Sequence, residues 1–171
     1  MNFIYQANVK DIIQKYDLIP HPEGGYSRLL HQDPDVLDAD CLPKGYNGSR
    51  PLWNGIYYLL PEGIVSILHR IRMSELWNFY MGGPLELFDI SPSGALKTII
   101  LGQNLSSAQD LAYVFPKGHW IAAKPIEGSS FSFVSCITSP GFTFADWEKG
   151  NREELSRYYP HLKEVIVMLT E

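Results

Sequence analysis

From Leu52 to Ser139 the chain alternates apolar and polar positions in short runs. The runs 52–60, 64–72, 76–81, 85–91, 96–101, 111–115, 119–124 and 130–139 are rich in β-branched and aromatic residues, as strands are. Pro61-Glu62-Gly63, Gly82-Gly83-Pro84 and Ser91-Pro92-Ser93-Gly94 supply turns between them. Another strand is expected over Tyr26–His31, after the turn Glu23-Gly24-Gly25. Many short strands at even spacing predict a sandwich or a closed barrel.

At both ends the period changes. Val9, Ile12, Ile13 and Tyr16 share one face of a helix over about 8–17. Asn8 can cap it, and Pro20 and Pro22 end it. Near the C-terminus Arg152–Tyr159 reads as helical and Pro160 opens a last helix, giving a helical tail over about 150–170. Residues 32–51 are rich in Asp, Pro and Gly and read as a long exposed loop. No repeat or linker divides the chain, so one domain is expected over 1–171, with its barrel core at about 25–148.

Composition narrows the function classes. At 171 residues and 45% hydrophobic content the chain can bury one sizeable core. A net charge of −5 and no basic stripe argue against nucleic-acid binding. No apolar run is long enough to span a bilayer, and the first residues lack the pattern of a secretory signal. The two cysteines, Cys41 and Cys136, make no disulfide framework. A cytoplasmic protein is the expectation.

The most specific pattern runs Gly63, His69, Ile71, Glu75, Gly82. On a strand over 64–72, His69 and Ile71 share a face, so a His-x-His pair here would aim both rings at one ion. Ile71 puts hydrocarbon in the second slot. The spacing resembles the first signature motif of the cupin superfamily. Pro116-Lys117-Gly118 resembles the start of the second, with Ile121 where that motif carries a histidine. The whole chain is similar to a narrower group of single-domain cupins, through His21-Pro-Glu-Gly-Gly-Tyr26, Glu75-x-Trp77, Pro84-Leu-Glu86, Pro116-x-Gly118-x-Trp120 and Pro140-Gly-Phe142-x-Phe144-x-Asp146.

That resemblance implies an all-β cupin jelly-roll β-barrel, forming a homodimer, with a pocket like that of sugar-nucleotide epimerases. It also implies four metal-ligand positions, of which His69 and Glu75 remain while Ile71 and Ile121 replace the others. His119 has the parity of Ile121, so His69, Glu75 and His119 form one candidate set for a divalent metal ion. A metal-free alternative makes His69 a general base oriented by Glu75, with Tyr26, Tyr57, Tyr58 or Tyr80 as acid, on a sugar or nucleotide-sugar substrate. A third reading is a non-catalytic binder of a small, partly hydrophobic molecule. Candidate ligand contacts are Glu23, Tyr26, Arg28, Trp77, Asn78, Phe79, His119 and Trp120, with Arg28 as a clamp for a carboxylate or phosphate. Asp146 and Glu148 read as anchors for the C-terminal tail.

Overall fold

The computed structural model describes residues 7–171. Helix α1 (Val9–Tyr16) starts where Asn8 Oδ1 accepts the Asp11 amide at 3.1 Å and ends at Asp17 in the left-handed region. Thirteen strands follow: β1 (Ile19–Pro20), β2 (Tyr26–Gln32), β3 (Val36–Leu37), β4 (Arg50–Pro51), β5 (Asn54–Pro61), β6 (Ser66–Ile71), β7 (Glu75–Gly82), β8 (Leu85–Ile90), β9 (Leu96–Leu101), β10 (Ala112–Phe115), β11 (Trp120–Pro125), β12 (Phe131–Thr138) and β13 (Trp147–Lys149). Helices α2 (Arg152–Tyr158) and α3 (Lys163–Leu169) close the chain.

A six-stranded sheet, ordered β1-β2-β5-β12-β7-β10, faces a five-stranded sheet, ordered β13-β6-β11-β8-β9. All pairings within them are antiparallel, as a jelly roll requires. The inward faces share one core: Tyr58 and Leu60 of β5, Trp77 and Phe79 of β7, Leu85 and Leu87 of β8, and Ile121 of β11. Alternation then sends the intervening residues outward. Tyr57 and Leu59 of β5, with Phe131 and Phe133 of β12, receive the apolar face of α1. Leu68, Phe88, Ile90 and Trp120 lie on the outer face of the other sheet, under Leu155, Ile166 and Leu169 of α2 and α3. Each sheet is thus covered on both sides over much of its area.

The expected strands fall within two residues of the observed ones. Four short strands, β1, β3, β4 and β13, went unpredicted, because two or three residues carry no periodicity. Two of them modify the loop reading. Within 32–51, β3 and β4 pair with each other, and Arg50 is only 3% exposed. Its guanidinium bonds both oxygens of Asp146, at 2.7 and 2.8 Å. Asp146 therefore anchors this loop and not the tail, while Glu148 pairs with Arg70 of β6.

Candidate functional site

One end of the barrel opens into a cavity of about 400 Å³. Its titratable lining comes mainly from the turn before β2, from β6 and from β7, with Tyr58 of β5 and Cys136 of β12. The turn is held by glycine. Gly24 has φ 109°, and a Cβ there would lie 2.3 Å from the Val65 carbonyl oxygen. A Cβ on Gly25, at φ 69°, would lie 2.4 Å from the Leu59 carbonyl oxygen. Only glycines allow so close an approach at these angles. The turn therefore seats against β5 and β6, and the Glu23 carbonyl accepts the Ile67 amide at 2.9 Å. That seating brings the Glu23 side chain, 7% exposed, beside His69.

His69 is fully enclosed, and its orientation is set by its own strand. Nδ1 lies 2.8 Å from the Ile67 carbonyl oxygen, which can only accept, so Nδ1 carries the proton. Nε2 is left with its lone pair, 3.5 Å from Glu23 Oε1. That separation exceeds an ordinary hydrogen bond, so the lone pair is unspent. Burial lowers the His69 pKa, with the Glu75 carboxyl opposing that shift, so the ring is neutral near pH 7.

Both carboxyls move the other way. Burial pushes Glu23 up to about 7, against the neighbouring His21, Trp147 and Ser66. Burial likewise pushes Glu75 up to about 7, against His69 and the Trp77 indole, with Glu23 adding to the rise. Glu75 Oε2 is buried without a hydrogen-bond partner, as are Trp77 Nε1, Trp147 Nε1 and Ser66 Oγ. The Trp77 indole acts on Glu75, and the Trp147 indole on Glu23, without closing bonds of ordinary geometry. Several unsatisfied buried polar atoms lie in and beside this cavity, which is unusual in a folded protein.

The structure brings together Glu23, His69, Glu75 and Trp77 of the expected site, and of the four tyrosines only Tyr58 lines the cavity. The Tyr58 hydroxyl donates to the Gly24 carbonyl at 2.8 Å, and burial raises its pKa well above the usual value, so it is a poor proton shuttle. The other expected contacts lie elsewhere. On β2 the inward residues are Ser27 and Leu29, so Tyr26 packs toward α1 and Arg28 is exposed. Asn78 points outward from β7 and donates to Ser135 Oγ, as does Tyr80. Tyr57 stacks on Phe133 outside the sheet. Phe79 faces inward but sits deeper in the core. Trp120 is on the outer face, beneath the Arg70 guanidinium.

His119 also departs from expectation. It precedes β11 and bonds Asp89 Oδ1 through Nδ1 at 2.5 Å, on the far side of Ile121 from His69. Among the described residues no three His, Cys, Asp or Glu side chains are grouped to hold a metal ion. With Ile71 and Ile121 supplying hydrocarbon and His119 turned to Asp89, these residues do not fit the metal centre that the resemblance implied.

Several contributors were missed. His21 enters the cavity, where burial lowers its pKa, and its ring contacts Tyr58 at 5.1 Å. Its place two residues before Glu23 was the available signal. Cys136 is inward by alternation on β12, and burial raises its thiol well above the usual value. Phe142 and Phe144 form the rim with Ile19 and Leu29.

Comparison with known proteins agrees with this architecture. The profile "Cupin superfamily (DUF985)" matches residues 10–150. The chain belongs to the cupin superfamily. A solved Shewanella oneidensis protein, SO0799, superimposes on this cupin with a TM-score of 0.87 at 35% identity, covering 96% of this chain and 98% of that one. A hypothetical protein from Leishmania major gives 0.86 at 27% identity, covering 96% and 99%. An uncharacterised Saccharomyces cerevisiae protein is 23% identical over 149 residues, 82% of this chain and 74% of that protein. Oxalate decarboxylase from Bacillus subtilis matches at a TM-score of 0.52 and 17% identity, over 89% of this chain and 37% of that one, a likeness of fold alone. Among the described residues no helix is long and apolar enough to cross a membrane.

Proposed function

We propose that the barrel cavity binds a small, partly apolar carbonyl compound and moves a proton on it, in the manner of a sugar-type isomerase or epimerase. The observation that carries this reading is the Ile67–His69 contact, which leaves Nε2 unprotonated, neutral and facing the cavity. A lone pair so placed can take a proton from carbon next to a carbonyl. Glu23 and Glu75, each with a pKa of about 7, are about half protonated at neutrality, so either can return a proton to the substrate. As the imidazole becomes cationic, the ionised carboxylates beside it stabilise the charge.

Among the described residues no lysine or arginine lines the cavity, and Arg28 is exposed. Inside this cavity nothing would neutralise a diphosphate, which favours an unphosphorylated substrate over a nucleotide sugar. The test is deuterium wash-in from heavy water, followed by NMR, across unphosphorylated ketoses and small hydroxyketones, with nucleotide sugars alongside. Exchange into an unphosphorylated member, lost in His69→Gln, is expected. The rate should fall as pH rises through about 7, because the acid partner ionises. Binding without exchange in any member would leave a non-catalytic binding protein, the reading favoured by the apolar rim of Ile19, Leu29 and Phe144.

A further inference from the structure

We infer that the protein has a second binding site, separate from the barrel cavity, for a small molecule bearing a phosphate or diphosphate group, held by Arg72, Lys44 and Lys117. The inference does not rest on the proton transfer proposed above. Three parts of the chain enclose a cleft of about 490 Å³: the loop before β4, the end of β6 with the turn before β11, and residues 145–148. Phe142, Thr143 and Phe144 line the barrel cavity, and the next four residues line this cleft, so one segment separates the two. The cleft's lining carries four cations, Lys44, Arg70, Arg72 and Lys117, against two carboxylates, Asp146 and Glu148.

Both carboxylates are already engaged. The buried Asp146 accepts from Arg50 through both oxygens, at 2.7 and 2.8 Å, and Glu148 accepts from Arg70 through both of its own, at 2.7 and 3.0 Å. Among the described residues Lys44 and Lys117 have no acidic partner, and Arg72 only nears Asp146, at 3.8 Å. Three cations without carboxylates of their own therefore line one concavity of a chain whose net charge is −5. Arg72 is also held in place. A Cβ on Gly45, at φ 105°, would lie 3.1 Å from Arg72 Nη1, so the loop backbone packs directly on the guanidinium. Its side chain is still 48% exposed, which leaves N–H groups for a ligand. A planar guanidinium takes phosphate oxygens two at a time, and lysines beside it add charge. Three cations suit an anion with two or more charges better than a lone carboxylate. A nucleic-acid strand fits less well, because no basic stripe leads away from the cleft to follow its backbone.

The experiment titrates the whole chain with diphosphate, inorganic phosphate, acetate and a short single-stranded DNA, using calorimetry and phosphorus NMR. Diphosphate should bind at least about tenfold tighter than acetate, with phosphate between them. Its affinity should fall about fivefold as salt rises from about 0.05 M to about 0.5 M. Lys44 and Lys117 are exposed, so Lys44→Gln and Lys117→Gln should fold normally and each weaken diphosphate about threefold. Arg72→Gln should weaken it about tenfold, and Arg28→Ala, exposed on β2, should leave it unchanged. No diphosphate binding at about 10 mM overturns the inference, as does binding that survives all three glutamine substitutions. Acetate binding as tightly as diphosphate overturns the assignment to phosphate. DNA binding tighter per phosphate than diphosphate, and weakened by the same substitutions, overturns the assignment to a small molecule. None of these outcomes bears on the barrel cavity.

Discussion

Two polar clusters are centred on residues of the same five-stranded sheet, His69 and Asp89, and they solve burial in opposite ways. His69, Ile121 and Asp89 stand in one register row across β6, β11 and β8. On one side of Ile121, Asp89 is 4% exposed and both of its oxygens are occupied, one by His119 and the other by the Tyr113 hydroxyl at 2.7 Å. On the other side, His69 Nε2 stands 3.5 Å from its nearest carboxyl oxygen and Glu75 Oε2 has no hydrogen-bond partner. The Asp89 cluster is complete and belongs to the fold. The His69 cluster is incomplete, and under the proposed function the ligand completes it. Position within a barrel does not by itself make a polar residue functional; an unmet hydrogen-bonding demand is the better sign.

The sharpest way to change this contrast is to supply the missing donors to a metal. Ile71→His with Ile121→His would place two more imidazoles on the inward face beside His69 and Glu75. Stoichiometric binding of a divalent ion is expected, with about 4 kcal/mol of stabilisation at metal a thousandfold above its Kd. Metal analysis and thermal unfolding check it, and a metal-free double variant would show that the isoleucines are not what separates this site from a metal centre. Next in size, Asp89→Ala strands His119 and Tyr113 and should cost about 3 kcal/mol in urea unfolding. A loss below 1 kcal/mol would mean that cluster is not structural.

Glu23→Gln with Glu75→Gln should act in the other direction. Each carboxyl has a folded pKa raised from 4.5 to about 7, so the native state binds more protons than the unfolded one across that window. Wild-type stability therefore falls as pH rises from about 4.5 to about 7, and the Gln variant escapes the fall. At pH 8 the variant should be more stable than wild type by about 3 kcal/mol for each carboxyl replaced, and near pH 4.5 the two should match. Smallest of all, Arg28→Ala should change neither stability nor ligand binding by more than about 0.5 kcal/mol.

The fold was legible because period-two runs and turn residues recur at even spacing, and because α1 carries its cap and its apolar face within Asn8–Tyr16. The site was half legible. Motif spacing identified His69, Glu75 and Glu23, yet alternation was not carried through to their neighbours. Glu75 inward means Trp77 inward and Asn78 outward, and Ile121 inward means Trp120 outward. Applied to β2, the same count would have removed Arg28. His119 had the right parity but the wrong depth, and its choice between His69 and Asp89 depends on a strand pairing absent from local pattern. His21 and Cys136 reach the cavity only through the seating of the glycine turn and of β12, which are contacts distant in sequence.

The segment bearing Phe142 and Phe144 is stitched to the strand edge beside it. The Gly141 amide meets the Pro51 carbonyl at 2.8 Å, the Asn54 side chain bonds both backbone groups of Phe142, and Arg50 grips Asp146. The cavity's mouth thus has a fixed frame, and its movable parts are the exposed side chains of Ile19, Leu29 and Phe144. A doorway worked by rotamers and not by backbone opens on the nanosecond scale of side-chain flips. Small molecules should therefore come and go without waiting for the protein, and their residence time will be governed by how well they satisfy His69, Glu23 and Glu75.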